Sequence, residues 1–144
     1  MEIKKALEKE AFLKCWEVVH ELRPQLDKEN YLTLVLHMMD EGYKMIYIEE
    51  GSRALAFCGY RHTTMLHRGR SIYIDDLCTL PEARTRGYGR LLLNQVIEEA
   101  RAEGLQSVHL DSGHQRFAAH RLYLNAGFKI TSHHFALDLP GKPG

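Results

Sequence analysis

Asp75-Asp76-Leu77-Cys78-Thr79-Leu80-Pro81-Glu82-Ala83-Arg84-Thr85-Arg86-Gly87-Tyr88-Gly89-Arg90 is the stretch that decides how this chain reads. Strand-forming residues run into a turn at Pro81 and then into the start of a helix, and R-x-x-G-x-G lies across that join. A helix N-terminus leaves backbone N–H groups unpaired and carries partial positive charge, so it binds phosphate. Gly87 and Gly89 remove side chains that would hold a diphosphate away from the backbone. Arg84, Arg86 and Arg90 add charge around the same spot. The pattern differs from the dinucleotide G-x-G-x-x-G and from the Walker A loop, which needs G-K-[ST].

On either side of this stretch the chain reads as alternating helices and strands. Residues 2–6 suit a short first strand. Residues 8–22 carry a helical apolar stripe (Phe12, Trp16, Val19, Leu22) that ends at Pro24, and 29–41 repeat that spacing up to Gly42. Residues 43–49 and 53–64 read as paired strands around Glu50-Gly51-Ser52, and 70–79 as the next strand. An amphipathic helix spans 88–103 and stops at Gly104. A strand over 106–111, a helix over 115–126 closed by Gly127, and a last strand or strand pair over 128–138 follow. The order β-α-α-β-β-β-α-β-α-β predicts an α/β domain with a mixed sheet. One domain over 1–139 and a disordered tail over 140–144 are expected.

Composition narrows the class. The chain has 144 residues, a formal net charge of zero and an ordinary apolar fraction of 44%. Zero net charge argues against a nucleic-acid partner, which needs a basic surface. No apolar run reaches a membrane span, and the N-terminus has no signal-peptide pattern. Cys15, Cys58 and Cys78 are odd in number and widely spaced, which fits thiols in a reducing cytoplasm and neither a disulfide framework nor a zinc site. The nine histidines show no ligand spacing, so no metal is expected.

A second segment carries chemistry. Within Leu110–Phe128, the pattern A-x-x-x-Y-x-x-x-G-F sets Ala119 and Tyr123 on one helical face, ahead of Gly127 and Phe128. Alone it reads as a core tyrosine with a satisfied hydroxyl.

Together, in this order and at this separation, the two segments resemble the GNAT N-acetyltransferase superfamily over about residues 3–138. Glu21-Leu22-Arg23-Pro24, Tyr73-Ile74-Asp75-Asp76-Leu77 and Leu110-Asp111-Ser112-Gly113 resemble small bacterial members of unassigned substrate. The resemblance implies a GNAT-like, mostly antiparallel mixed sheet with helices on both faces, and acetyl-CoA as acyl donor. It implies that Leu77, Cys78 and Thr79 splay from the strand near 110–113 and pair with the pantetheine arm. It also implies that Arg84, Thr85, Arg86, Gly87, Tyr88, Gly89 and Arg90 hold the pyrophosphate. Arg116 stands where the family often has Asn and joins this cofactor-binding set. The implied acceptor is an amine of a small molecule or peptide, walled by residues 21–33.

Acyl transfer to an amine needs a neutral amine, aligned reactants, donors for the developing oxyanion and a proton for the leaving thiolate. Tyr123 is the expected general acid. Asp76, ahead of Asp75, is the expected base, with Asp111, His109 and His114 as further candidates. Adjacent on a strand, Asp75 and Asp76 should point to opposite faces. Cys78 has no histidine near it in sequence, which disfavours a nucleophilic role. An acyl-CoA-binding regulatory module without turnover is the alternative reading, and a nucleotide-binding or redox α/β protein a more distant one. An edge strand near 128–138 offers a homodimer contact.

Overall fold

The structure is a computed structural model that describes residues 2–141. The elements are β1 (Ile3–Lys5), α1 (Lys9–Lys14), α2 (Trp16–Leu22), α3 (Lys28–Asp40), β2 (Lys44–Glu50), β3 (Arg53–Met65), β4 (Gly69–Thr79), a 3₁₀ turn (Pro81–Ala83), α4 (Tyr88–Ala102), β5 (Ser107–Leu110) and α5 (Phe117–Asn125). Two compact units divide the chain after Leu110.

In the first unit the sheet order is β1-β2-β3-β4-β5. Neighbours run antiparallel up to β4, and β5 joins β4 in parallel after the α4 crossover. Alternation along β3 supplies both faces of the core. Ala56, Cys58 and Tyr60 lie on the α4 face, where the buried Leu92, Leu93, Val96 and Ala100 of α4 pack. The Tyr60 hydroxyl donates to Glu99 of α4 at 2.7 Å. Phe57 and Gly59 point the other way, beneath α2 and α3. There Phe12, Val18, Tyr31 and Val35 are buried, and the Tyr31 hydroxyl donates to the Phe12 carbonyl at 2.8 Å. Each fully buried Leu or Val contributes roughly 1.5–3 kcal/mol.

The helix expected over 8–22 is divided at Cys15. Its amide is shared between the Ala11 and Phe12 carbonyls at 3.3 and 3.1 Å, a tightening of one turn that separates α1 from α2. Burial first, and the Glu49 charge second, push the Cys15 thiol up to about 12 against the opposing charge of Lys14. Cys58 is fully buried as well, and no disulfide forms among the described residues.

The second unit holds α5. The strand expected over 128–138 is absent: residues 128–141 form no regular element, and the element order ends at α5. Phe135, Leu137 and Leu139 keep the alternation that suggests a strand, yet they are 90%, 85% and 79% exposed. Alternation specifies a face and supplies no hydrogen-bonded neighbour, which a strand requires. The edge on which a homodimer contact was expected is therefore not formed among the described residues. Of the expected tail, Pro140 and Gly141 are irregular, and 142–144 lie outside the described residues.

Candidate active site

The site begins in the register of β4. On its β5 side the ladder runs from Ser71↔Ser107 to Ile74↔Leu110 and ends there, while β4 continues for five residues to Thr79. On its β3 side the register slips: Tyr60 faces Ile74, and Gly59 faces Asp76. Asp75 is the extra residue of a β-bulge. Before the bulge, Tyr73 and Asp75 lie on the α2–α3 face; after it, Asp76 and Cys78 do. The expectation that Asp75 and Asp76 face opposite sides is thus corrected, because the bulge turns both toward one cleft.

That cleft has a volume of about 360 Å³ and lies between the sheet and helices α2 and α3. Asp75 takes a two-pronged bond from Arg61, with Nη2 to Oδ2 at 2.6 Å and Nε to Oδ1 at 3.0 Å. Asp76 Oδ1 accepts from Arg23 Nη2 at 2.9 Å and Nε at 3.2 Å, and its Oδ2 accepts from the Tyr43 hydroxyl at 2.8 Å. Arg23 Nη2 also donates to the Asp75 carbonyl at 3.1 Å. Burial first, and the Asp76 charge second, hold the Tyr43 phenol well above its ordinary range, so it stays a donor. The Arg61 guanidinium sits 5.5 Å from the centre of the Tyr43 ring.

Sequence reasoning missed Tyr43 and Arg61. The available signal was Gly59, a lone glycine inside a strand, which marks a bulge or a close approach. A Cβ at Gly59 would lie 1.7 Å from the Tyr43 hydroxyl oxygen, so only glycine lets that phenol cross β3 to reach Asp76.

Past Thr79 the chain reaches the loop read as a phosphate site. Arg84 Nε donates to the Thr79 carbonyl at 3.2 Å, and Arg86 Nη1 to Glu50 at 3.0 Å. Thr85 has φ +79, a left-handed conformation that costs a β-branched residue about 1–3 kcal/mol and that clusters at functional loops. Gly87 is the N-cap of α4 at φ +80, and no side chain among the described residues caps that end. Tyr88 is buried and anchors the first turn, while Arg84, Arg86 and Arg90 are exposed around it.

The remaining candidates are spread along the chain. His109 on β5 lies 2.6 Å from the Ser107 hydroxyl, and burial lowers its imidazole pKa, so it is neutral near pH 7. In the second unit, Asp111 lies 3.7 Å from His134, His114 is exposed, and Arg116 is the exposed N-cap of α5. The Tyr-x-x-x-Gly-Phe motif is a helix stop. Phe128 N–H bonds the Tyr123 carbonyl at 3.0 Å, Gly127 N–H bonds the Leu124 carbonyl at 3.1 Å, and Gly127 takes φ +101. The Phe128 ring lies 6.0 Å from the Tyr123 ring, which braces the phenol at the helix end. On the α4 face, His62 bonds Glu103 at 2.8 Å and lies 3.5 Å from Glu99, an exposed grouping that ties β3 to α4.

Residues 7–128 match the model of the Acetyltransferase (GNAT) family. The chain belongs to that family, whose members use acetyl-CoA and an amine acceptor, and it is an acetyltransferase. It is 36% identical over 135 residues to the uncharacterized N-acetyltransferase YhdJ of Bacillus subtilis (strain 168), covering 92% of this chain and 95% of that one. It shares its fold with a putative acetyltransferase from Agrobacterium tumefaciens str. C58 (TM-score 0.83, 22% identity, 96% and 100% of the two chains). An aminoglycoside acetyltransferase from an uncultured soil metagenomic sample, in complex with trehalose, has the same fold (TM-score 0.79, 13% identity, 96% of each chain). No helix among the described residues is long and apolar enough to cross a membrane.

Proposed function

We propose that the chain moves the acetyl group of acetyl-CoA directly onto the amine of a small molecule or peptide, within a single catalytic domain over 1–139. One observation carries this reading: β4 runs five residues beyond its ladder with β5 and leads straight into the uncapped N-terminus of α4. The family resemblance lays an extended pantetheine arm along Leu77, Cys78 and Thr79, past the end of the β5 ladder, and a strand-like arm from Thr79 to Asp76 spans about 10 Å. The pyrophosphate then meets the N–H groups of Tyr88, Gly89 and Arg90, with Arg84, Thr85, Arg86, Gly87 and Arg116 completing the set. Backbone N–H groups near Thr79 serve the oxyanion.

Asp75 and Asp76 border the cleft that receives the amine. Each keeps acceptor capacity beyond its arginine partner, because a carboxylate has about four lone-pair sites. Both orient the amine, and Asp76, directly or through water, takes its proton. Tyr123 donates a proton to the departing thiolate, a role supported by its place in the motif. Three thiols without a disulfide fit a cytoplasmic enzyme.

Calorimetry with acetyl-CoA and a thiol-release assay test this reading. Wild type should bind at one site and release thiol with an acceptor. Tyr123→Phe should bind alike and lower kcat by about 100-fold. Binding without turnover over a broad amine panel would favour the regulatory module.

A further inference from the structure

The cleft carries information about the acceptor that the motifs do not. Two carboxylates on its wall suggest at first a trap for polycations. The bonding argues otherwise. Asp75 is held by Arg61 at both oxygens, and Asp76 by Arg23 and Tyr43, so two negative charges face two positive ones. Of the two other tyrosines on the wall, Tyr31 and Tyr73, Tyr31 spends its hydroxyl on the Phe12 carbonyl and presents its ring. Val19, Leu34, Val35, Met38, Met45 and Phe57 make up most of the remaining lining. A second ammonium brought in here would lose its water and find no uncompensated carboxylate.

The volume, about 360 Å³, sits at the small end of ligand sites. Two polar groups of the lining, Arg23 and Gln25, keep donors in reserve. Arg23 Nη1 makes no hydrogen bond among the described residues, and the side chain is 41% exposed. It can receive a carboxylate or carbonyl oxygen.

We propose that the acceptor is a compact amine with an apolar body and one carbonyl or carboxylate oxygen, the chemistry of an apolar α-amino acid or its amide, and not a polycation. This rests on the acetyl-transfer reading above. The assignment also serves the chemistry: an apolar cleft with balanced charge disfavours the ammonium form, so the bound amine is driven toward the neutral nucleophile that attack requires.

The experiment compares kcat/KM for phenylalanine, phenylalaninamide, leucinamide, phenethylamine, spermidine and an aminoglycoside, after calorimetry has established acetyl-CoA binding. The apolar amino acids or amides should exceed both polycations by at least about 100-fold. Arg23→Gln, which also loosens Asp76, should lower kcat for every acceptor alike and in addition raise KM for phenylalaninamide about tenfold over KM for phenethylamine, a split that a merely structural role would not give. Leu34→Glu, at a half-exposed position on the cleft wall, should move the preference toward spermidine by about tenfold. Spermidine or the aminoglycoside matching or beating the apolar amines would overturn the substrate class and leave acetyl transfer standing. Bound acetyl-CoA with no apolar amine acetylated would also overturn the substrate class, and with no amine of the panel acetylated would favour the regulatory module. Failure to bind acetyl-CoA would overturn the parent reading and this one with it.

Discussion

Helices α3 and α4 begin in opposite ways. At α3, Asp27 takes the N-cap position and its Oδ1 accepts from the Asn30 amide at 2.8 Å, with Glu29 in the first turn. That end is closed by its own acid, and its partial charge is answered from within. At α4 the N-cap is Gly87, the first turn has no acid, and Arg84, Arg86 and Arg90 stand around it, with Glu50 on Arg86. Caps and first-turn acids each stabilise a helix by about 0.3–2 kcal/mol. An end that forgoes both, and has arginines around it, gains stability when something anionic arrives. Under the function proposed above, the contrast separates a helix start that serves folding from one that serves a ligand.

The largest test gives α4 what α3 has. Gly89→Asp puts a carboxylate into the first turn. Acetyl-CoA affinity by calorimetry should fall about 100-fold, close to 2.7 kcal/mol, while the melting temperature holds or rises, because an acid there suits the helix and replaces a glycine. A loss of stability with affinity intact would mean that the α4 end is no anion site.

The reverse change strips α3. Asp27→Ala should cost about 1 kcal/mol in denaturant unfolding and leave acetyl-CoA affinity within about twofold, since that end meets no ligand. A smaller effect is expected at Thr85, whose φ of +79 belongs to the α4 start alone. Thr85→Gly should stabilise the apo protein by up to about 1 kcal/mol, as relief of strain is partly offset by glycine's entropy. The smallest concerns Glu50, which engages Arg86 at 3.0 Å. Glu50→Gln frees that guanidinium, and acetyl-CoA affinity should rise about two- to threefold, more at low salt than at high. A fall would place Arg86 outside the phosphate contacts.

What was legible in the sequence follows the range of the interaction. The loop from Arg84 to Arg90 and the helix stop at Gly127 are local, and a few neighbouring residues fix their backbones. The acetyltransferase class was readable because those two local patterns stand in order along one chain. The cleft was not. Arg23 meets Asp76 across 53 residues and Tyr43 meets it across 33, and neither partner can be found by spacing. The bulge at Asp75 belongs to the pairing of β4 with β3 and exists in neither strand alone. The strand expected over 128–138 failed for the complementary reason: Phe135, Leu137 and Leu139 have the right alternation, and the missing half of the information is the neighbour.

Asp75 has one more consequence. Before it, the even-numbered residues of β4 (Ile72, Ile74) face α4; beyond it, the odd-numbered ones (Leu77, Thr79) do. β4 is in effect two strands of opposite parity spliced at a single residue. Deleting Asp75 would restore plain alternation and leave both ends of β4 on the faces they hold now. The layers of β4 therefore survive the loss of that residue, and what goes is the carboxylate that meets Arg61. A chimera that joins sequences on the two sides of Asp75 and leaves the extra residue out keeps the other β4 side chains in their layers, whereas a residue lost elsewhere in β4 turns over the half beyond it.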